Sequence, residues 1–297
     1  MRLRLLPVLL SAVALTACGA QPTAPSSNNK LEVAVGFYPY QFLAEKVGGD
    51  DVQITNLTKP GGEPHDLELT PQQVASLSQS DLVVYARGFQ PAVDAAVDQQ
   101  APDRAFDVLT AVELRSGGQI EEDLDTGGKD PHVWLDPMRF ATIATAVAEQ
   151  LAERAPERAT AFRERATTLG AELRTLDGEL RAGLASCVRK QIVTSHEAYG
   201  YLAGAYGLEQ VAISGLSPDA EATPKRLAEV AQIAKEGGVT TIFFEGMVSP
   251  KVAESLARDV GAKAVELNPL EGAPATGDYL SAMRADLAIL RTALDCP

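Results

Sequence analysis

The longest helical pattern in the chain lies between two stretches in which short apolar runs alternate with helix signals. It covers residues 157–186, and its apolar positions recur at steps of three and four residues, as one face of an α-helix requires. These positions are Phe162, Ala166, Leu169, Leu173, Leu176, Leu180 and Leu184. About 30 residues of helix extend for about 45 Å, which is long enough to contact two separate bodies. The pattern therefore predicts one long helix that joins two lobes.

The stretches on either side of this helix predict two similar lobes of the α/β class. Strand-like runs alternate with helix signals in both, as in lobes built on mainly parallel sheets. The runs are Leu31–Val35, 52–57 and 81–86 in the first stretch, and Gln191–Thr194, 209–213, 240–244 and 263–267 in the second. We predict an N-terminal lobe over 31–156, the linking helix over 157–186 and a C-terminal lobe over 187–297.

The first 30 residues have the features of an export leader followed by a tether. Arg2 and Arg4 precede an apolar run over 5–17, which is shorter than the ~20 residues of a membrane-spanning helix. The run ends in Leu-Thr-Ala-Cys-Gly, which resembles a bacterial lipobox. That resemblance implies cleavage after a signal peptide at 1–17 and a lipid on Cys18, followed by a flexible tether to residue 30. An uncleaved anchor with an incidental cysteine is the alternative.

Export also bears on the two remaining cysteines, Cys187 and Cys296. Thiols outside the cytoplasm commonly pair, so we expect a disulfide that ties the penultimate residue to the start of the C-terminal lobe. Two inert buried thiols remain the alternative. The wide spacing of the cysteines argues against a cysteine-based zinc finger or an iron–sulfur site.

Charge excludes one class of partner. The chain has 26 Lys and Arg against 40 Asp and Glu, a formal net charge of −14. Nucleic-acid binders need a basic face for the phosphates, so we expect no nucleic-acid partner.

The chain contains only three histidines, His65, His132 and His196. Each lies in a loop after or beside a strand-like run, where ligands collect in open α/β sheets. Two fall in the first lobe and one in the second, so a cleft between the lobes would let them meet. Three imidazoles with one further ligand make a tetrahedral zinc site. Taken singly, each histidine has the alternative of a surface or helix-capping role.

Four separated segments resemble the substrate-binding lipoproteins of zinc/manganese ABC importers, the metal-binding cluster A-I or zinc-uptake solute-binding family. The segments are Pro64-His65 with Leu69-Thr70-Pro71 and Ser80 to Val84, DPHVWLDP at 130–137, SHEAYGYL at 195–202, and FFE at 243–245 with SPKVAESLARDVG at 249–261. They occur in the family's order, and the resemblance covers nearly everything after the tether.

The resemblance implies both a fold and a function. It implies two α/β lobes around a rigid linking helix, with His65, His132 and His196 as metal ligands in the cleft. It also implies a monomeric, high-affinity zinc-binding protein, anchored by lipid to the outer face of the bacterial cytoplasmic membrane, which delivers the ion to a cognate ABC permease and its ATPase. Zn²⁺ is expected over Mn²⁺, because manganese prefers more oxygen donors and manganese-binding members replace the third histidine with a carboxylate.

The fourth ligand is where this chain departs from the family. The family usually has Asp in a Leu-Asp-Pro-Leu segment, and this chain has Leu-Asn-Pro-Leu with Asn268. We favour Asn268 at or next to the metal. A water or chloride, or a nearby carboxylate such as Glu245, Glu63 or Glu271, remains possible. An ordinary Asn-Pro turn is the alternative without a metal.

Two other functions stay open at this point. A three-histidine site with an open position could activate water, which would make the chain a zinc-dependent hydrolase with Glu245 or Glu63 as base. The chain lacks the His-Glu-x-x-His, Gly-x-Ser-x-Gly and Walker patterns, and we predict that it is not an enzyme. A surface adhesion protein with incidental metal is the third possibility. The acidic stretch 117–129 contains no histidine; a solvated loop is favoured over metal collection.

Overall fold

The computed structural model describes residues 30–117, 128–218 and 222–297. The predicted leader, Cys18 and most of the acidic stretch lie outside these residues. Within them, no helix has both the length and the apolar character needed to cross a membrane.

Each lobe contains a four-stranded, fully parallel sheet with helices on both faces. The N-terminal lobe consists of β1 (Leu31–Val35), α1 (Tyr38–Gly48), β2 (Val52–Asn56), α2 (Pro71–Leu77), β3 (Leu82–Tyr85), α3 (Pro91–Gln100), β4 (Ala105–Asp107) and α4 (Pro137–Arg154). After the long helix α5 (Ala159–Leu184), the C-terminal lobe consists of β5 (Gln191–Thr194), α6 (Gly200–Tyr206), β6 (Glu209–Ala212), α7 (Pro224–Glu236), β7 (Thr241–Phe244), α8 (Lys251–Val260), β8 (Lys263–Glu266) and α9 (Tyr279–Leu294).

The two sheets have the same topology, which confirms the predicted fold class. The strand orders are β2-β1-β3-β4 and β6-β5-β7-β8. In each lobe the first strand of the chain lies inside the sheet, and the second and third pair on either side of it. The loops that follow the strands therefore converge at one edge of each sheet.

Local sequence signals set the helix ends close to the site. Asp136 caps α4 by accepting hydrogen bonds from the backbone N–H groups of Met138 and Arg139, and Pro137 occupies the first helical position. Thr70 and Gln73 form a capping box at the start of α2. Both caps fix where a helix begins after a histidine-bearing loop.

Helix α5 packs on both lobes, as its apolar stripe predicts. All seven stripe residues are buried, and the helix contacts α1 and α4 on one side and α6 and α9 on the other. Gly183 permits the close approach of α9, because a Cβ there would lie 2.9 Å from Leu287 Cδ1. A shared core consequently runs through both lobes.

The predicted bridge between Cys187 and Cys296 is present and joins residues 109 apart in sequence. It fastens the end of the chain beside the C-terminal end of α5.

Polar contacts also cross between the lobes. The Arg115 side chain donates to the Gly200 carbonyl, and Tyr201 Oη donates to the Asp130 carbonyl at 2.8 Å.

Candidate metal centre

Three histidines and one glutamate from four chain segments meet between the lobes. His65 lies in the loop between β2 and α2, His132 directly precedes the 3-10 turn Val133–Leu135, His196 follows β5, and Glu271 follows β8. Each offers one ligand atom, and the four atoms lie within 4.8 Å of one another. The sheet topology thus brings together residues up to 206 positions apart.

The distances within this cluster match a tetrahedron. Glu271 Oε1 lies 3.4 Å from the Nε2 atoms of His65 and His196 and 3.6 Å from that of His132. The Nε2 atoms of His132 and His196 are 3.3 Å apart. A tetrahedral zinc site with ligand bonds of about 2.0–2.1 Å has ligand atoms roughly 3.3–3.4 Å apart. Four of the six distances therefore match a tetrahedral site, and all six lie within 4.8 Å.

The cluster is shielded from water. The side chains of His132 and His196 are fully buried, Glu271 is 1% exposed and His65 is 8% exposed. Glu271 Oε2 is buried without a hydrogen-bond partner among the described residues. A buried carboxylate oxygen normally has a partner, so Glu271 is a carboxylate whose hydrogen bonding among the described residues is incomplete.

Carboxylates orient two of the three imidazoles. Asp130 Oδ1 lies 2.9 Å from His132 Nδ1 and also accepts from the His132 backbone N–H. Glu245 Oε1 lies 2.5 Å from His196 Nδ1 and also accepts from Ser195 Oγ. A carboxylate on Nδ1 favours the tautomer with its proton on that nitrogen, which leaves the Nε2 lone pair for a metal. Both Nε2 atoms point into the cluster.

Aromatic rings form the wall on the N-terminal side. The Phe89 ring lies 4.2 Å from the His65 ring, centroid to centroid, and the Trp134 ring lies 5.2 Å from that of His132. Phe37 stacks on Phe89 at 4.3 Å. These rings exclude water, which strengthens electrostatic interactions in the cluster.

The charges of the cluster are balanced among its members. Burial lowers the pKa of His132, which favours its neutral form. Burial opposes the charge on His196 as well, but Glu245 and Glu271 raise the pKa of His196 well above its ordinary value. Burial would raise the pKa of Glu271, yet His65 and His196 hold that pKa well below its usual range. A positive charge, from a proton or a metal, is therefore strongly favoured at the centre.

The fourth member of the cluster is Glu271, one of the carboxylates that the sequence leaves open for this position. The side chain of Asn268, the residue favoured from the sequence, has a backbone contact of its own. Asn268 Oδ1 accepts a hydrogen bond from the Leu270 backbone N–H at 2.8 Å, so this side chain closes a turn. Leu270 has a left-handed backbone with φ 59°, and the turned chain presents Glu271 to the histidines. The Asn-Pro turn was the alternative considered for this segment.

Contacts from both lobes hold this turn in place. Trp134 Nε1 donates to the Pro269 carbonyl at 2.7 Å, and Tyr199 Oη donates to the Leu267 carbonyl at 3.0 Å. Trp134 thus packs against the site from the N-terminal lobe and holds the segment that precedes Glu271.

The other carboxylates considered for the fourth position lie beside the cluster. Glu245 is behind His196, on the nitrogen that faces away from the other histidines. Glu63 has one oxygen bonded to the Asp66 backbone N–H and the other buried without a partner among the described residues. Burial raises the pKa of Glu63. The role of Asp130 was missed in the sequence, although its position two residues before His132 is a usable signal.

The known proteins that this chain resembles are described as zinc-uptake or zinc-binding proteins. The family model described as "Zinc-uptake complex component A periplasmic" (ZnuA) matches residues 33–293. The chain is 33% identical over 293 residues to the zinc-binding protein AdcA of Streptococcus pyogenes serotype M6, which covers 91% of the chain and 57% of AdcA. It therefore spans less than two thirds of the length of that relative.

Two further matches extend over nearly the whole of both proteins. The high-affinity zinc uptake system protein ZnuA of Bacillus subtilis is 32% identical over 296 residues, covering 94% of this chain and 93% of that one. The structure of the laminin binding protein Lmb of Streptococcus agalactiae, described as bifunctional with adhesin and metal transporting activity, superposes with a TM-score of 0.80. Its identity is 30%, with 89% of this chain and 99% of that chain covered.

Proposed function

This chain belongs to the ZnuA family of zinc-uptake components, and from that membership we propose that it binds Zn²⁺ outside the cytoplasm and delivers the ion to an ABC importer. The observation that carries the proposal is the buried cluster of His65, His132, His196 and Glu271, with ligand atoms spaced as in a tetrahedral zinc site. We assign these four residues as the ligands.

The donor set supports zinc over manganese. Three imidazole nitrogens and one carboxylate oxygen suit zinc, whereas manganese favours oxygen-rich sites with more ligands. The charge of Glu271 offsets part of the charge of the ion, a role that an amide at position 268 could not fill.

The geometry favours binding over catalysis. A hydrolytic zinc site keeps one coordination position open for water. Here Glu271 Oε1 lies within 3.6 Å of all three Nε2 atoms, so the carboxylate occupies the position that water would need. Glu245 is engaged with His196 and Ser195, which leaves it poorly placed as a general base. This arrangement therefore supports the binding and release of a transported ion.

Family membership supports a permease and an ATPase as partners, and the lipobox-like segment before Cys18 supports an anchor in the membrane. We propose that the chain is exported, carries a lipid on Cys18 and acts as a monomer beside a cognate permease and its ATPase. Mass spectrometry of the membrane-associated protein tests the anchor: a diacylglyceryl Cys18 at the mature N-terminus is expected. An uncleaved leader, or a mature N-terminus without lipid on Cys18, would contradict the anchor.

Titration of the metal-free protein tests the ligand set. One zinc ion per chain is expected, bound more tightly than Mn²⁺, with large losses in His65→Ala, His132→Ala, His196→Ala and Glu271→Gln. Zinc affinity that is unchanged when all three histidines are replaced would overturn the site. Zinc-dependent hydrolysis of model esters that is lost in Glu245→Gln would instead show that the chain is a zinc-dependent hydrolase.

Adhesion is a second candidate, favoured by the structural match to Lmb, whose description includes adhesin activity. Binding of the zinc-loaded chain to immobilised laminin tests it, with the metal-free chain as the matched control. Saturable binding would add this role, and binding no greater than to albumin would remove it.

A further inference from the structure

A buried glutamine holds the loop that carries His65. Gln90 is 2% exposed and precedes α3. Its Nε2 donates to Thr58 Oγ1 at 3.0 Å and to the Pro64 carbonyl at 3.1 Å. Thr58 Oγ1 in turn donates to the Gly36 carbonyl at 2.8 Å. The amide therefore connects the residue before His65 to the end of β1 through one threonine.

The C-terminal lobe repeats this arrangement around His196. Gln210, on β6, is also buried. Its Nε2 donates to Thr194 Oγ1 at 2.8 Å and to the His196 carbonyl at 3.0 Å. Thr194 Oγ1 donates to the same carbonyl at 2.7 Å. In both lobes one amide nitrogen uses its two N–H groups on a threonine hydroxyl and on a backbone carbonyl at or next to a histidine of the cluster.

We propose that Gln90 and Gln210 are positioning residues, each of which sets the affinity for the ion through one histidine, Gln90 through His65 and Gln210 through His196. This inference rests on the proposed zinc binding and deepens it. Neither glutamine belongs to the cluster of ligand atoms, so each acts only by fixing where an imidazole stands.

His65 depends most on its glutamine for its position. Asp130 and Glu245 hold the Nδ1 atoms of His132 and His196, whereas no such carboxylate contacts His65 Nδ1 among the described residues. His65 is held instead by the hydrogen bond from Gln90 to the Pro64 carbonyl and by the contact of its ring with Phe89. The chain makes room for this amide at Gly36, where a Cβ would lie 2.5 Å from Gln90 Oε1.

Double-mutant cycles test the pairing. Gln90→Met and Gln210→Met keep the length of the side chain and remove both donors. Each should weaken zinc binding roughly tenfold, at the low end for groups that orient a metal ligand, with Gln90→Met at least as large as Gln210→Met. In a His65→Ala background Gln90→Met should have almost no further effect, while Gln210→Met should keep its full effect; the pattern should reverse in His196→Ala.

Gln73→Met is the matched control. Gln73 Nε2 donates to the Leu57 carbonyl at 2.8 Å, at the start of the same loop, and its loss should lower thermal stability without a change in zinc affinity above about twofold. The melting temperature of each metal-free variant monitors folding, and the uncharged variants Gln90→Leu and Gln210→Leu repeat the cycles if a methionine variant unfolds.

The outcomes separate this inference from the proposed function. Equal losses from Gln90→Met in the wild-type and His65→Ala backgrounds, or a loss in Gln73→Met as large as in Gln90→Met, would overturn the positioning role. Absence of zinc binding by the wild-type protein would instead overturn the proposed function.

Discussion

The two sides of the metal centre are built on sheets of the same topology but contribute different chemistry. The C-terminal side contributes charge: Glu245 follows β7, Glu271 follows β8, and both act on His196. The N-terminal side contributes His65 and His132 with the Phe89 and Trp134 rings packed against them. Each side has one carboxylate on an Nδ1 atom, Asp130 on His132 and Glu245 on His196, but only the C-terminal side adds a second carboxylate, Glu271, among the ligand atoms.

This difference predicts different effects of substitutions on the two sides. Aromatic rings line the N-terminal half, where burial lowers the pKa of His132 despite the nearby Asp130, while Glu245 and Glu271 raise the pKa of His196 in the C-terminal half. We therefore expect changes on the C-terminal side to alter the pH dependence of zinc binding, and changes on the N-terminal side to alter affinity with little effect on that dependence.

Loss of a ligand histidine is expected to have the largest effect. His132→Ala and His196→Ala should each weaken zinc binding more than about 100-fold, because loss of a group that merely orients a ligand already costs roughly 10–100-fold. Competition with a zinc chelator measures this. A loss below tenfold in either variant would break the account of a site shared by both lobes.

Exchange of the fourth group tests the turn at 268–271. Glu271→Gln should weaken binding by more than about tenfold, because the buried ion loses its only charged ligand. Asn268→Ala, the comparison variant, should cost less than Glu271→Gln, because Asn268 Oδ1 accepts from the Leu270 backbone N–H and shapes the turn without contributing a ligand atom. A larger loss in Asn268→Ala than in Glu271→Gln would return the fourth position to Asn268.

Removal of the orienting carboxylates compares the two sides directly. Glu245→Gln and Asp130→Asn should each weaken binding roughly 10–100-fold at pH 8. The amide oxygen can still accept from Nδ1, so a smaller loss is expected than for a ligand. If calorimetry at this pH gave wild-type affinity for both variants, the Nδ1 contacts would have no role in binding.

The raised pKa of His196 predicts the pH profile. Zinc needs neutral imidazole, and Glu245 and Glu271 raise the pKa of His196 above its ordinary value of 6.5. The paired imidazolium stabilises the metal-free fold fully below pH 6.5, and this contribution is lost as the pH rises through the raised pKa. When the pH is lowered, zinc affinity should therefore start to fall while the pH is still above 6.5.

Glu245→Gln removes the main cause of that raised pKa, so the fall in affinity should move to lower pH. Asp130→Asn is the matched control and should leave the midpoint where it is, because burial keeps His132 neutral. Zinc titrations between pH 5.5 and 9 measure both. A midpoint shared by wild type and Glu245→Gln would show that His196 does not control the profile.

The disulfide should have the smallest effect on zinc binding. Replacement of Cys187 and Cys296 by serine should lower the free energy of unfolding by about 2–5 kcal/mol, while zinc affinity changes less than about threefold. Thermal unfolding of the metal-free protein and chelator competition measure the two quantities. A large loss of affinity would mean that the bridge, at the far end of α5, helps to set the site.

The sequence predicted the elements that depend on periodicity and on local signals. The apolar stripe of α5 is such a local property. The expected placement of the histidines beside strands holds closely only for His196, since His65 lies nine residues after β2 and His132 directly precedes a 3-10 turn. Glu271 could not be selected in this way, because its direction depends on the left-handed Leu270 and on contacts to Trp134 and Tyr199 from distant segments. Gln90 and Gln210 were missed for the same reason, since their partners lie far away in sequence.

X-ray absorption at the zinc edge is the most direct test of the central claim that four side chains from both lobes bind one ion. The wild-type protein should show three imidazole nitrogens and one oxygen, with bonds of about 2.0–2.2 Å. Each single histidine replacement should remove one imidazole, and Glu271→Gln should alter the oxygen contribution. A wild-type spectrum with fewer than three imidazoles, or one unchanged by Glu271→Gln, would contradict it.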